Sequence, residues 1–216
     1  MPTTHHPAAV LRVPVIPVIP VIPVMRVCVR ALMASGAMVF LSIACAGATA
    51  APSKDLSALI DLCAVRLEIS RSVALTKWDT QQPVADPPGD PRERQVIDAA
   101  SEEASRVGLR SETASAFFAD QVEASKLVQI VLMADWRRSG GAPLEPRADL
   151  KTALRPALDK LRSALIQELI ATRALRVAPE CPQTLAMATL AHVNAHRLPA
   201  VYRIALDRGM ARVCGE

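Results

Sequence analysis

Arg66 and Lys77 stand eleven residues apart in Arg66-Leu-Glu-Ile-Ser-Arg-Ser-Val-Ala-Leu-Thr-Lys77-Trp, a stretch whose apolar residues recur at helical spacing. Eleven residues is about three turns, so the two cations project to nearly one side, with a rise of roughly 16 Å between them. Two long, flexible cations that far apart can lean together and grip the two ends of one small anion. A solvated basic face is the other reading of this segment alone. Further along, Arg92 and Glu93 open a second helical pattern, Ser125 and Gln129 stand at i, i+4 on a third, and Arg155 lies on a fourth. Four cations on three helices, without four matching carboxylates nearby, suggest a pocket for a compact polyanion.

Other chemistries have less support. The sequence has no Gly-rich phosphate loop, no G-x-S-x-G and no C-x-x-C pair. His192 and His196, spaced i, i+4, could hold a metal on one helix face. No nearby carboxylate or cysteine completes such a site in the sequence, so a solvated or satisfied face is expected and no metal. Ser125 is an obvious hydroxyl, but no histidine sits in a plausible partner helix. Nucleophilic catalysis therefore has little support.

The elements that must position these residues are helical. Leu56, Leu59, Ile60, Cys63, Leu67, Val73 and Ala74 mark an apolar stripe over residues 55–80. The Pro/Gly/Asp-rich segment 81–91 is a loop. A second helix is predicted over 92–107, stopping at Gly108. A third covers 111–138, with Phe117, Phe118, Val122, Leu127, Ile130 and Val131 on its apolar face. After a second loop, the pattern predicts one long helix over 149–177. Pro156 falls in its first turns or kinks it, and biases Arg155 away from helical geometry. Two shorter helices follow, over 183–196 and 198–213. No convincing period-2 strand is found. The expected fold is all-α, a single-domain bundle of about six helices.

The front of the chain distorts its averages. The whole chain has 216 residues, is 51% hydrophobic and carries a formal net charge of +4. Residues 1–50 hold Arg12, Arg26 and Arg30 and no acidic residue; without those three, the 25 Lys and Arg fall to 22, against 21 Asp and Glu. The basic balance belongs to a leader and argues for neither nucleic acid nor an acidic partner. Pro14 to Val24 is a low-complexity Pro/Val/Ile run. Met25 to Arg30 is a basic start, residues 31–45 are apolar, and Ala48-Thr49-Ala50 is a small-residue site. This is the three-part pattern of a secretory signal peptide, too short in its apolar part to span a bilayer comfortably. Met25 reads as the biological start, with residues 1–24 upstream of it. Retention as an uncleaved anchor and lipidation at Cys45 are the alternatives. The working reading is export, with cleavage after Ala50, a mature domain of residues 51–216, and no membrane contact in that form.

Cysteine use agrees with export. Cys28 and Cys45 leave with the leader. Cys63 falls in the apolar stripe as a buried thiol, and Cys181 and Cys214 flank a helical hairpin where an oxidising compartment lets them pair. Closing that loop is worth about 3–4 kcal/mol by chain-entropy reckoning.

Taken together, Arg66-x10-Lys77-Trp78, the Pro-containing loop, Asp90-Pro-Arg92-Glu93-Arg94-Gln95 and Asp120-Gln-x3-Ser125-Lys-x2-Gln129 resemble the all-α AroQ-type chorismate mutases. The C-terminal extension, signal peptide and Cys181/Cys214 pair resemble their secreted, gamma subclass. The resemblance runs over about residues 55–214 and rests on order and spacing more than on any one motif. It implies conversion of chorismate to prephenate by a Claisen rearrangement, with no cofactor and no covalent intermediate. It also implies a homodimer as an assembly common in the family, and periplasmic or secreted location. By position, Arg66 and Arg155 resemble the carboxylate-binding arginines and Arg92 a further cation of the pocket. Lys77 resembles the donor to the ether oxygen and a carboxylate, and Gln129 the second ether-oxygen donor. Glu93 resembles the partner of the ring hydroxyl, and Ser125 an auxiliary carboxylate contact. Some secreted members carry a glutamate where Gln129 stands, and the loop over 85–90 is longer than usual, leaving Asp86 and Asp90 both open as its acidic residue. Two further readings stand beside this one: a non-catalytic exported helical protein that binds a small carboxylate or a protein partner, and a structural bundle with surface cations.

Overall fold

The computed structural model describes residues 55–85, 87 and 91–215. The signal-peptide reading of residues 1–50, cleavage after Ala50 and the choice between Asp86 and Asp90 lie outside these residues. Among the described residues the secondary structure is helical, with no strand.

The first helix, α1 (Ser57–Asp79), starts where Asp55 accepts a 2.9 Å hydrogen bond from the Ser57 amide. That satisfies one of the amides a helix start leaves orphaned. Its stripe of Leu59, Ile60, Cys63, Leu67 and Ala74 is buried, as the helical period requires. α2 (Arg92–Arg106) follows Pro91 and carries Glu93 in its first turn, where the helix dipole favours an anion. Its buried residues are the small Ala100 and Ala104, so it lies close against α3 (Ser111–Arg138). Gly108 between them has φ +86°, the left-handed geometry that ends a helix without side-chain strain.

α3 is the spine of the bundle, packed on α1, α2 and α7. The sequence stripe named Ile130 as one of its core residues. The structure corrects this: Ile130 is 53% exposed, and the inward line is Phe117, Phe118, Gln121, Ala124 and Val128. Phe117 and Phe118 meet edge-to-face at 5.3 Å.

The single long helix expected over 149–177 is also corrected. The Asp149 carboxylate accepts from the amides of Lys151 and Thr152, and one wide π turn (Leu150–Leu154) precedes α4 (Arg155–Ala171). Pro156 has no N–H to give, so it sits in the first turn of α4, where a helix tolerates it. Thr172 then interrupts the run, its hydroxyl turned back to the Glu168 carbonyl, and α5 (Arg173–Arg176) is a single turn.

α6 (Cys181–His196) and α7 (Ala200–Gly209) complete the fold as a hairpin. Cys181 and Cys214 form a disulfide across a sequence separation of 33. Beneath it Arg176, 1% exposed, donates to the carbonyls of Leu169, Val213 and Gly215. The hairpin is drawn onto α3 by Asp120, which is buried and takes both Arg212 (2.7 and 2.8 Å) and Arg208. Gly209 allows the closest approach: a Cβ there would stand 2.8 Å from Gln121 Nε2 and 3.3 Å from Ala124 Cβ. Cys63 is a buried free thiol beside Gln121 and Met210, and burial pushes its pKa up to about 12. No helix among the described residues is long and apolar enough to cross a membrane.

Candidate functional site

One cavity of about 410 Å³ opens between α1, α2, α3 and the π turn with the start of α4. Arg66, Ser70, Val73 and Lys77 form the α1 wall, at intervals of four, three and four residues that keep them on one helix face. α3 supplies Val122, Ser125, Lys126 and Gln129 from its own such face, and α2 supplies Arg92, Glu93 and Val96. The loop after α1 adds Val84 and Pro87, and the segment from Leu150 to Leu158 adds Arg155. All seven residues singled out in the sequence, Arg66, Lys77, Arg92, Glu93, Ser125, Gln129 and Arg155, are brought to this cavity.

Arg66 is the most constrained of them. It is 6% exposed, its Nε has no hydrogen-bond partner, and no carboxylate pairs with it among the described residues. Burial pulls its pKa down to about 10, with the nearby Cys63 acting weakly the other way, so it remains a cation at neutral pH. A buried charge without a counter-ion is costly, and an anion entering the cavity relieves that cost. Gln129 is buried one helix away. Its Nε2 donates to the Ser125 carbonyl at 3.2 Å, leaving a second N–H, and its Oε1 has no partner. The Ser125 hydroxyl donates to the Gln121 carbonyl at 2.8 Å, and its single O–H can rotate to a ligand oxygen instead.

Lys77 reaches across the mouth and donates to the Val84 carbonyl at 2.8 Å. The loop that presents this carbonyl is anchored by a small second core, in which Val84 packs beside Trp78 and Trp136, whose rings meet edge-to-face at 5.8 Å. Gln81, at φ +55°, makes the sharp turn that starts it.

Arg155 corrects an expectation. Despite preceding Pro156 it is helical, at φ −65° and ψ −48°. The preceding π turn supplies the extra backbone room, and a strap along α1 fixes where that turn lies. Arg71 holds Glu145 through two hydrogen bonds of 2.5 and 2.6 Å, Arg147 holds Asp79 at 2.8 Å, and Thr76 donates to the Ala148 carbonyl.

Sequence reasoning missed Lys126. It lines the cavity and its Nζ lies 2.9 Å from Glu93 Oε2 and 2.6 Å from Glu123 Oε1. Partial burial works against its charge, but the two carboxylates outweigh that and hold its pKa above the ordinary value. The signal was weak because Glu93 is 33 positions away and on another helix. Counted with Lys126, the cavity has among the described residues five cations around one carboxylate, and that carboxylate is already paired. Such a lining suits a small molecule bearing more than one negative charge. Among the described residues no histidine lines it and Ser125 has no histidine beside it, so its residues are arranged to bind and polarise. The expectation that no carboxylate stands near His192 and His196 is corrected as well: Asp61 of α1 reaches His192 Nδ1 at 2.9 Å, outside the cavity.

Comparison with known proteins gives a consistent result. Residues 57–130 match the family described as chorismate mutase type II. The chain is 29% identical over 163 residues to a secreted chorismate mutase of Mycobacterium tuberculosis, covering 75% of this chain and 79% of that one. It resembles the crystal structure of a chorismate mutase from Burkholderia phymatum at a TM-score of 0.71 and 42% identity, covering 74% of this chain and 96% of that one. The corresponding structure from Burkholderia thailandensis gives 0.69 and 35%, covering 74% and 98%. A secreted chorismate mutase from Yersinia pestis, at 20% identity and a TM-score of 0.57, shares the fold.

Proposed function

The chain belongs to the all-α, AroQ-type chorismate mutases, and from the residues around its cavity we propose how it carries out that family's reaction. It is a secreted chorismate mutase, an isomerase that converts chorismate to prephenate. Every atom of prephenate is already present in chorismate, so the enzyme's task is conformational and electrostatic. It must hold a dicarboxylate in the compact conformer in which the new C–C bond can form, and stabilise charge that builds on the ether oxygen as the C–O bond breaks.

The proposed roles follow from chemistry and position. Arg66 and Arg155 each take a substrate carboxylate, Arg92 adds a third arginine to the same field, and the Ser125 hydroxyl turns from the Gln121 carbonyl to donate to a carboxylate oxygen. Lys77 leaves the Val84 carbonyl to donate to the ether oxygen and a carboxylate. Gln129 gives its second N–H to the same oxygen. Glu93, held by Lys126, receives the ring hydroxyl. The observation that carries this reading is Arg66, a buried cation with an unpartnered Nε at the wall of a five-cation cavity. A non-catalytic carboxylate binder has no need of the Ser125/Gln129 pair on a packed helix, and is not favoured.

The decisive experiment mixes purified residues 51–216 with chorismate and follows the loss of its absorbance. No turnover by protein with normal helical circular dichroism would sink the proposal. Processing after Ala50 is the proposed maturation step, placing the enzyme in the periplasm or outside the cell, and N-terminal sequencing of the exported protein reads it directly. A homodimer is the proposed assembly. All cavity residues come from one chain, so light scattering that showed a monomer would remove the dimer but leave the site whole.

A further inference from the structure

We propose that Asp61, His192 and His196 form a binding site for a divalent transition-metal ion of the zinc type, separate from the cavity. His192 and His196 stand one turn apart on α6, their ring centres 4.3 Å apart and tilted by 37°. Asp61, from α1, has Oδ1 2.9 Å from His192 Nδ1. One ligand atom from each of the three lies within 4.8 Å of the others. Metal–ligand bonds of about 2.0–2.1 Å at tetrahedral angles put ligand atoms roughly 3.4 Å apart. Small rotations of the exposed Asp61 and His196 side chains close that difference.

The donor set decides the class of ion. Two imidazoles and one carboxylate suit zinc, copper or nickel and do not suit magnesium or calcium, which take oxygen ligands. Three protein ligands on a surface leave a fourth position for water. The backbone is already in place: α1 and α6 pack against each other, and the disulfide at Cys181 fixes the start of α6. His192 is held by its surroundings, with 11% of its side chain exposed, while Asp61 remains 61% exposed and accessible to an ion. The hydrogen bond between Asp61 and His192 accounts for two of these residues, and the ion accounts for the third standing at the same point. The chain has four histidines, and two of them, His5 and His6, are in the leader. Every histidine outside the leader is therefore in this cluster. A bound ion would join α1 to the C-terminal hairpin and stabilise the fold in proportion to its free concentration.

The test uses the protein exported with its own leader, purified without a histidine tag and stripped with a chelator. Calorimetric titration with zinc chloride should show one ion per chain in the micromolar range, and the thermal midpoint should rise with added zinc. His196→Ala and Asp61→Asn change exposed side chains and keep the fold; each should weaken zinc binding at least tenfold and abolish the rise in midpoint. Chorismate turnover by His196→Ala should match the parent, which separates this site from the cavity. Absence of stoichiometric zinc binding, or binding by both variants equal to that of the parent, overturns the proposal. His192→Ala is the stronger perturbation, but the two exposed variants decide the matter if it fails to fold.

Discussion

Lys126 Nζ stands 2.9 Å from Glu93 Oε2, tying the second residue of α2 to the turn of α3 that carries Ser125 and Gln129. The pair fixes the only carboxylate that lines the cavity among the described residues. Lys126→Met should release Glu93 and lower kcat/KM about tenfold, or about 1.4 kcal/mol of transition-state stabilisation. Lys126→Arg should restore most of it. A Met variant with unchanged kcat and KM would remove Lys126 from the site's positioning residues.

Arg66 is predicted to trade stability for function. Replacing a buried, incompletely paired cation by an apolar side chain of similar length removes a desolvation cost. Arg66→Met should stabilise the fold by about 1–3 kcal/mol, which for a domain of this size raises the thermal midpoint by about 2–4 °C per kcal/mol. The same change should lower kcat/KM by at least a hundredfold. Thermal melts and steady-state kinetics on one preparation check both halves.

The ether-oxygen donors make a pH prediction. Lys77→Ala should lower the rate at least a hundredfold. Gln129 donates at any pH, so it gives the parent enzyme no steep loss between roughly pH 5 and 8. A glutamate donates only when protonated and ordinarily ionises near 4.3. Gln129→Glu should therefore be most active in acid and decline as pH rises; full activity at pH 8 would count against this role.

Asp120 carries the acid sensitivity of the C-terminal hairpin. Desolvation alone would raise its pKa, but hydrogen bonds from Arg212 and Arg208 outweigh it and hold the carboxyl below the ordinary carboxylate range. A depressed folded pKa means stability that is complete above the unfolded value, about 3.9, and lost as pH falls through the folded one. Asp120→Asn should cost about 1–3 kcal/mol at neutral pH. The difference from the parent should vanish in strong acid, which denaturant titrations at several pH values would show.

Gly209→Ala should destabilise, although alanine is the better helix former. The added Cβ would stand 2.8 Å from Gln121 Nε2, a buried group already bonded to the Gly209 carbonyl, so either the Gln121 amide gives up that bond or helix α7 shifts. The expected cost is about 1–3 kcal/mol, read as a fall in thermal midpoint.

What was legible in the sequence was what depends on neighbours along the chain. The limits of α3 follow from Gly108 before it and Gly140 and Gly141 after it. The spacing of Arg66 and Lys77 placed both on one helix face. What was not legible depends on pairs brought together from afar. Ile130 fits the apolar period of α3, yet its own side of the helix faces solvent while Val128 and Gln129 of the same turn are buried. Asp61 and His192 are far apart in sequence, so a carboxylate that looked absent is supplied by another helix. Pro156 correctly announced an irregularity, but local preference could not say that a π turn would absorb it and leave Arg155 helical. Asp120 read as part of a motif, and its two arginines lie 88 and 92 positions away.

Leu158 is the last residue along the chain to line the cavity, whereas the disulfide starts only at Cys181. Considered as a history, the chain's synthesis delivers the parts of the site first and their fastening last. A molecule caught before Cys214 has been oxidised already carries every group the cavity uses. The covalent closure therefore acts as a late seal on the folded molecule, with the chemistry encoded upstream of it.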